Sequence, residues 1–342
     1  AAQRLCHVLS NSRFLGDALN KSVESVTWLG NDESLQPRSR ESLNIQTKAT
    51  LERNAGNIND FANSIRAMRR HEIERIGLAW MSGVIDDEAS LAGMTDVYDA
   101  AIEASLQWAI RHRINDMQLE QAPAAIAIIG MGRYGGREVN FSSDADVIII
   151  YRPAEGADDT QANLFARKVQ EDLRAILQGP TTFEPKIELD MDLRPEGKNG
   201  PLVRSYASCE EYYRSWASTW EHQALLRARY AAGDAALAED FLMNIADPLR
   251  YPKIDLTETQ IAEIRKLKAR MEAERLPRGV RRDRHLKLGK GGLSDVEWTI
   301  QLLQLQHAGD NANLRVNGTL QALDELEHRK LISAGDAVVL RK

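Results

Sequence analysis

The chain has 342 residues, and its 44 lysines and arginines against 50 aspartates and glutamates give a net charge of −6. This length predicts two or three domains. A composition with 43% hydrophobic and 27% charged residues is that of a globular protein and excludes an intrinsically disordered chain. The mild acidity argues against a nucleic-acid-binding protein, and the apolar runs are too short for a membrane helix. We therefore expect neither nucleic acid nor membrane as a partner.

The two cysteines, Cys6 and Cys209, are too few for a zinc site of their own or a disulfide framework. A protein of the reducing cytoplasm is the resulting prediction. The histidines show no metal-ligand spacing, so we predict no zinc site. The chain starts without Met and without a signal-peptide pattern, and we expect it to be a piece of a longer protein.

The first predicted segment, residues 1–120, is helical. Apolar residues such as Ile58, Phe61 and Ile65 recur there at spacings of three and four, as on one face of a helix. A basic cluster follows on the same helix: Arg66, Arg69, Arg70 and His71. We interpret this cluster as a solvated helix face, with a phosphate site as the alternative.

The second predicted segment, residues 121–255, opens with short apolar runs at 124–129 and 147–151, which predict buried strands at 124–129 and 146–151. A helix is predicted at 161–177, and the alternation of apolar and polar residues predicts a strand at 186–193. Further helices are predicted at 209–230, 235–245, 257–274, 294–307 and 314–330, the last three in the third predicted segment, residues 256–342. Trp216 and Trp220 are expected in the core. The predicted fold class is α+β and mainly helical, with a small sheet flanked by helices and a C-terminal helical bundle.

A glycine-rich turn, Gly130-Met-Gly-Arg-Tyr-Gly135, follows the first predicted strand and matches the Gly-x-Gly-x-x-Gly dinucleotide fingerprint. The next strand begins only about ten residues later, which leaves no room for the crossover helix of a dinucleotide-binding unit. The acids also stand at the start of that strand and not at its end. The spacing therefore excludes the dinucleotide interpretation.

Asp144 and Asp146 open the second predicted strand, where alternate residues point to one face. Paired carboxylates suit Mg²⁺, and the glycine turn just upstream offers backbone amides to a phosphate. The alternative is a solvent-facing pair of acids. Glu188, Asp190 and Asp192 lie on one face of the later predicted strand, and any of them could supply the third carboxylate of a two-metal nucleotidyl-transfer site.

Three motifs resemble those of the glutamine synthetase adenylyltransferase family, whose members are bifunctional adenylyltransferase/adenylyl-removing enzymes. The first is Gly130-Met-Gly-Arg-Tyr-Gly-Gly-Arg-Glu-Val-Asn-Phe-Ser-Ser-Asp-Ala-Asp146. The second is Asp190-Met-Asp-Leu-Arg-Pro-Glu-Gly197. The third is Lys287-Leu-Gly-Lys-Gly-Gly-Leu-Ser-Asp-Val-Glu-Trp298, whose Gly-Gly-Leu-Ser-Asp-Val-Glu run is similar to the C-terminal, adenylylating half of the family. Residues 298–307 are similar to those of actinobacterial members. The resemblance extends over nearly the whole chain.

The resemblance implies a DNA polymerase β-like nucleotidyltransferase fold with a small mixed sheet. It implies that Asp144, Asp146 and Asp190 are catalytic and bind Mg²⁺, and that Gly130 and Gly132 approach the triphosphate of ATP. Four further residues are predicted to contact the nucleotide: Arg133, Ser143, Arg194 and Lys287. Each has a plainer alternative, which is a solvated position for Arg133, capping for Ser143, neutralisation of the acids for Arg194 and a domain-joint turn for Lys287.

The resemblance implies Mg²⁺-dependent transfer of AMP from ATP to a tyrosine of glutamine synthetase, as part of the control of nitrogen metabolism. It also implies the PII signalling protein as a partner. Two alternatives stay open: the adenylyl-removing half, which releases ADP by phosphorolysis, and a non-catalytic nucleotide-sensing module.

Overall fold

The computed structural model of the protein describes residues 1–181, 184–276 and 279–342. The α-helices of the N-terminal part are Ala2–Asn11 (α1), Arg13–Lys21 (α2), Asp32–Leu35 (α3), Arg40–Arg53 (α4), Ile58–Met81 (α5) and Asp87–Asp116 (α6). They are followed by Gly132–Gly135 (α7), Asp159–Gln178 (α8), Tyr206–Ser215 (α9), Thr219–Leu225 (α10), Ala235–Phe241 (α11) and Asp247–Arg250 (α12). The last are Glu258–Glu274 (α13), Leu293–His307 (α14), Thr319–His328 (α15) and Ala334–Arg341 (α16).

The strands are Ala124–Gly130 (β1), Ala145–Pro153 (β2), Leu189–Asp190 (β3), Val203–Ser205 (β4) and Arg229–Gly233 (β5). Short 3-10 helices lie at Val23–Gly30, Gly197–Asn199, Arg282–Arg284 and Ala312–Leu314, and a π-helix at Leu242–Ala246 continues α11. The fold is thus mainly helical α+β, as predicted. None of the helices in the described ranges is both long and apolar enough to cross a lipid bilayer.

The chain divides into two compact units: Ala1–Ser205 with Tyr230–Leu237, and Tyr206–Arg229 with Ala238–Lys342. The division into segments 1–120, 121–255 and 256–342 that the sequence suggests stays a prediction. Within the described residues, neither Cys6 nor Cys209 forms a disulfide.

The first unit is built on a mixed five-stranded sheet in the order β3-β2-β1-β5, with β4 also pairing with β2. β1 and β2 are antiparallel, from Ala124 opposite Pro153 to Gly130 opposite Val147. β3 and β4 both run parallel to β2, β3 at its first residues and β4 along Ile149–Tyr151. The two short strands therefore share one edge of β2, and residues 191–202 form a loop between them.

The core of the first unit forms because β1 and β2 are apolar on both faces and need cover on both. Side chains from β1, β2, α5, α6 and α8 make one continuous hydrophobic cluster. A smaller cluster joins α1, α2 and α3 to the last turns of α5 through Leu78 and Ala79. The acid-bearing ends of the strands are thus attached to a rigid, buried scaffold.

The basic cluster on α5 does not form the solvated face that was expected. Arg66 is fully buried and donates hydrogen bonds to the carbonyl oxygens of Ile176 (2.8 Å) and Gly179 (2.8 Å) at the end of α8. Helix ends leave carbonyls without partners, and a buried guanidinium satisfies several of them at once. This arginine therefore has a structural role, and the prediction of a solvated face was wrong for it.

The second unit is helical in its described part, and α13–α16 surround a core that contains Ile264, Ile300 and Leu323. The helix predicted at 209–230 is interrupted: α9 ends at Ser215, α10 starts at Thr219 with a capping box, and β5 follows. The indole of Trp216 lies in this interruption and is 74% exposed. The expectation that Trp216 belongs to the core was therefore wrong.

Candidate nucleotidyl-transfer site

The carboxylates predicted from sequence meet through strand pairing. In the parallel register of β2 and β3, Asp146 lies directly opposite Asp190, and Ala145 donates its amide to the carbonyl of Glu188 at 2.8 Å. Paired residues on neighbouring strands, about 4.8 Å apart, point to the same face of the sheet. Asp146 and Asp190 therefore stand side by side. Both are half-buried, whereas Asp144, just before β2, is exposed.

The glycine turn packs directly against one of these carboxylates. Gly132 opens the one-turn helix α7 with φ +51°, and a Cβ added to it would lie 2.1 Å from Oδ2 of Asp146. The amide of Met131 donates to the carbonyl of Asp146 at 2.8 Å, which holds the turn on the strand. Only glycine therefore allows the backbone to approach this carboxylate so closely. Gly130 ends β1 beside it, and Arg133 is half-buried on α7.

A tight turn at residues 140–143 lies directly before Asp144 in the chain. The hydroxyl of Ser143 accepts from the amide of Asn140 at 3.0 Å and donates to the Oδ1 of that residue at 3.0 Å. Tyr98 on α6 donates its hydroxyl to the carbonyl of Ser143 at 2.9 Å, and Arg69 donates to the Tyr98 hydroxyl at 2.8 Å. These bonds favour the capping role for Ser143, and they fix the chain that leads into Asp144.

Asp190 is fixed by the loop that follows it. Its Oδ1 accepts from the amide of Asp192 at 2.7 Å, while the Asp192 carboxylate faces Lys198 at 3.3 Å. The predicted strand at 186–193 was therefore too long: β3 has two residues, and Asp192 lies in the turn after it. The loop turns because Glu196 and Gly197 both have positive φ, and its closure brings Lys198 back to Asp192.

Arg194 closes this loop from inside. Its side chain is almost fully buried, and its guanidinium donates to the carbonyls of Met191 (2.7 Å) and Gly200 (3.0 and 2.9 Å) and also to Lys198 (3.2 Å). All three nitrogens thus bind loop carbonyls, which is the geometry that a planar guanidinium fork favours. These bonds give Arg194 a loop-holding role, and its contact with a phosphate stays a prediction.

The donor set suits a magnesium ion that a nucleotide helps to hold. Mg²⁺ takes oxygen ligands and usually binds one or two carboxylates together with substrate phosphates. Among the residues that the structure describes, no group of three or more histidine, cysteine or acidic side chains is arranged to hold a metal ion. Asp146 and Asp190 supply two carboxylates on paired strands, and Asp144 lies two residues before Asp146. The residues therefore fit a shared protein–nucleotide site better than an all-protein cage.

A family model described as glutamate-ammonia ligase adenylyltransferase matches residues 2–244, which include the strands and the glycine turn. The chain belongs to the glutamate-ammonia ligase adenylyltransferase family. Over all its 342 residues it is 77% identical to the bifunctional glutamine synthetase adenylyltransferase/adenylyl-removing enzyme of Bifidobacterium longum strain NCC 2705, of which it covers 32%. A protein of the same name from Mycobacterium avium strain 104 is 42% identical over 346 aligned residues, which are 100% of this chain and 34% of that protein.

The chain thus spans about a third of the length of these adenylyltransferase relatives. Family membership and the similarity to actinobacterial members, both predicted from the sequence, are confirmed. A second family model, described as GlnD PII-uridylyltransferase, matches residues 264–342 of this member of the adenylyltransferase family.

The third motif of this family member lies in that second matched region. Lys287 is exposed on a turn before α14. Asp295 in the first turn of α14 accepts from the amide of Gly291 at 2.6 Å and pairs with Lys268 of α13. These contacts hold the glycine turn between two helices, which favours the structural interpretation of the motif; Lys287 as a nucleotide contact stays a prediction.

Three residues of this chain support the site, although the sequence did not predict that role for them. Arg69 and Tyr98 hold the carbonyl of Ser143, and Arg70 makes a bidentate pair with Glu184 (2.9 and 3.2 Å), six residues before Asp190. Partners 29 to 114 residues apart leave no local spacing signal. Both acid-bearing segments are therefore tied back to helix α5.

Proposed function

We propose that this chain is a catalytic unit that transfers AMP from ATP to a tyrosine hydroxyl of glutamine synthetase. The observation that carries the proposal is the β2–β3 register, which sets Asp146 beside Asp190 directly under the Gly132 turn. The names printed for the 77% and 42% identical relatives support glutamine synthetase as the target. We further propose that the small sheet is of the DNA polymerase β-like nucleotidyltransferase type.

In this proposal Asp146, Asp190 and Asp144 would hold Mg²⁺ together with the triphosphate of ATP. The ion would neutralise charge on the α-phosphate and on the departing pyrophosphate. Asp190 accepts the proton of the tyrosine hydroxyl as the tyrosine oxygen attacks the α-phosphorus in line with the departing pyrophosphate. The Asp192 amide keeps Oδ1 of Asp190 oriented. The Gly132 turn brings backbone amides against the phosphates, because no side chain stands between them.

We place the reaction in the cytoplasm, since the described cysteines form no disulfide. The PII signalling protein is proposed as a partner, because residues 264–342 match the PII-uridylyltransferase model.

Incubation of the chain with glutamine synthetase, Mg²⁺ and α-labelled ATP tests the proposal. Label should appear on glutamine synthetase, and Asp146→Asn should reduce transfer at least about 100-fold, since a lost metal ligand costs several kcal/mol of barrier. Asp192→Asn is the matched control, because its carboxylate lies 3.3 Å from Lys198 and 3.9 Å from Arg194, and only its backbone amide contacts Asp190. It should keep transfer within about threefold of the unsubstituted chain.

The alternatives give different products. Release of ADP from adenylylated glutamine synthetase with inorganic phosphate, without label transfer from ATP, would identify the adenylyl-removing half. ATP binding without either reaction would identify a nucleotide-sensing module. Transfer that survives Asp146→Asn but not Asp192→Asn would refute the assignment of the carboxylates.

A further inference from the structure

An open cavity of about 330 Å³ lies among the N-terminal helices of the first unit. Helix α4, helix α5, the 3-10 helix Val23–Gly30 and the segment between α3 and α4 supply its walls. The lining residues that matter for its chemistry are Trp28, Arg38, Arg53, Met68, Glu72 and Arg75. The volume is at the lower end of the range for small-molecule sites.

Two of the arginines are held by a buried carboxylate. Glu72 is 2% exposed, and its two oxygens lie 3.2 Å from Nε of Arg38 and 3.2 Å from Nε of Arg75. The guanidinium of Arg75 also stacks over the ring of Trp28, 4.0 Å from its centroid. Such fixed guanidinium planes lose little conformational entropy when they bind an anion.

The third arginine adds a charge that Glu72 does not neutralise. Arg53 stands in the last turn of α4, and its Nε and Nη2 contact Ala49 and Thr50 of its own helix. Within the described ranges it makes no ion pair. Among the described residues, Nη1 of Arg53 has no hydrogen-bond partner, and the same holds for Nη2 of Arg38 and Nη2 of Arg75. These donors are therefore available to a ligand.

The charge balance of the cavity selects the ligand. Three arginines and one glutamate give +2, in a chain whose net charge is −6. His71 also lines the cavity, and burial, followed by the charge of Arg70, lowers the pKa of its imidazole. It therefore adds no charge at neutral pH. Trp28 and Met68 form an apolar part of the wall, which suits carbon atoms of a ligand.

We propose that this cavity binds a small dianion, whose oxyanion groups contact the three arginines and whose carbon atoms, where it has them, contact Trp28 and Met68. The chemistry is shared by dicarboxylates and by phosphate. Arg53 lines the cavity beside the two arginines that contact Glu72, but it makes no contact with Glu72 itself. The site lies on the N-terminal helices and is separate from the carboxylates of β2 and β3.

Isothermal titration of the chain in a magnesium-free, low-salt buffer tests the proposal, with succinate and inorganic phosphate as probes and acetate as the monoanion. We expect one dianion per chain and at least about tenfold weaker binding of acetate, which corresponds to about 1.4 kcal/mol. The tighter of the two dianions identifies the source of the oxyanion. Arg53→Gln should weaken that dianion at least about tenfold, because a charge-assisted hydrogen bond is lost.

Arg13→Gln is the matched control, since Arg13 is exposed on α2 and only 3.7 Å from Asp17. It removes the same charge and should change affinity less than about twofold. Arg53 is also exposed, so both variants should keep the native circular dichroism spectrum. No saturable binding of either dianion at about 10 mM, or equal weakening by the two variants, would overturn the proposal.

Discussion

Replacing Gly132 with alanine tests whether the glycine turn sets the position of the Asp146 carboxylate. The added Cβ would stand 2.1 Å from Oδ2 of Asp146, whereas a carbon and an oxygen in contact are normally about 3.3 Å apart. The carboxylate must therefore move by about 1 Å, and a displacement of this size at a reacting centre costs about 100-fold in rate, or about 2.7 kcal/mol of barrier. The fold should survive, because the clash is with the end of a side chain.

The backbone adds a separate cost. Gly132 has φ +51°, where an L-residue loses about 1–2 kcal/mol. Gly156 has φ +74° in the loop after the far end of β2, and nothing lies within 4 Å of its added Cβ. Gly156→Ala should therefore carry the backbone cost without the clash and keep the unsubstituted rate of labelled AMP transfer. If Gly132→Ala transfers AMP at more than about half the unsubstituted rate, the carboxylate is not positioned by this turn.

Three further changes test the packing. Arg66→Met should lower the free energy of unfolding by about 3 kcal/mol, because it leaves several buried carbonyls of α8 without donors, and urea denaturation beside Arg13→Met measures this. Burial raises the pKa of the Glu74 carboxyl, so the native state holds its proton more tightly and loses stability as pH rises from the unfolded pKa through the folded one. Glu74→Gln should accordingly be more stable than the unsubstituted chain at pH 7, and this advantage should shrink by about pH 4; an advantage that grows towards acid pH would contradict the sign. Trp216→Ser should change stability by less than about 0.5 kcal/mol, and a loss above about 2 kcal/mol would place this indole in a core.

Local patterns predicted the elements whose signals are local. The apolar runs gave β1 and most of β2 because a strand buried on both faces must be apolar throughout, and α13 and α14 were predicted to within about a residue by their period. β4 and β5 were missed. Each is short, and β4 is a strand only because β2 offers it an edge for hydrogen bonding.

The roles of the arginines required three-dimensional information. Charge alone predicts a solvated position, since an unpaired guanidinium is costly to bury. Arg66 is buried because carbonyls at the end of α8, 110 residues away in sequence, satisfy its donors. Arg194 likewise binds the carbonyls of its own loop, so the phosphate role suggested by its place after Asp192 competes with bonds that sequence does not reveal.

The sequence by itself determined the family, the order of the three motifs and the identity of the candidate acids, because these depend on residue types at fixed spacing. Only the tertiary structure showed how two of these acids come to stand side by side. Asp146 and Asp190 are 44 residues apart, and the parallel register of two strands, one of them only two residues long, sets them side by side. Strand register is a property of pairing between distant segments, and no single segment encodes it.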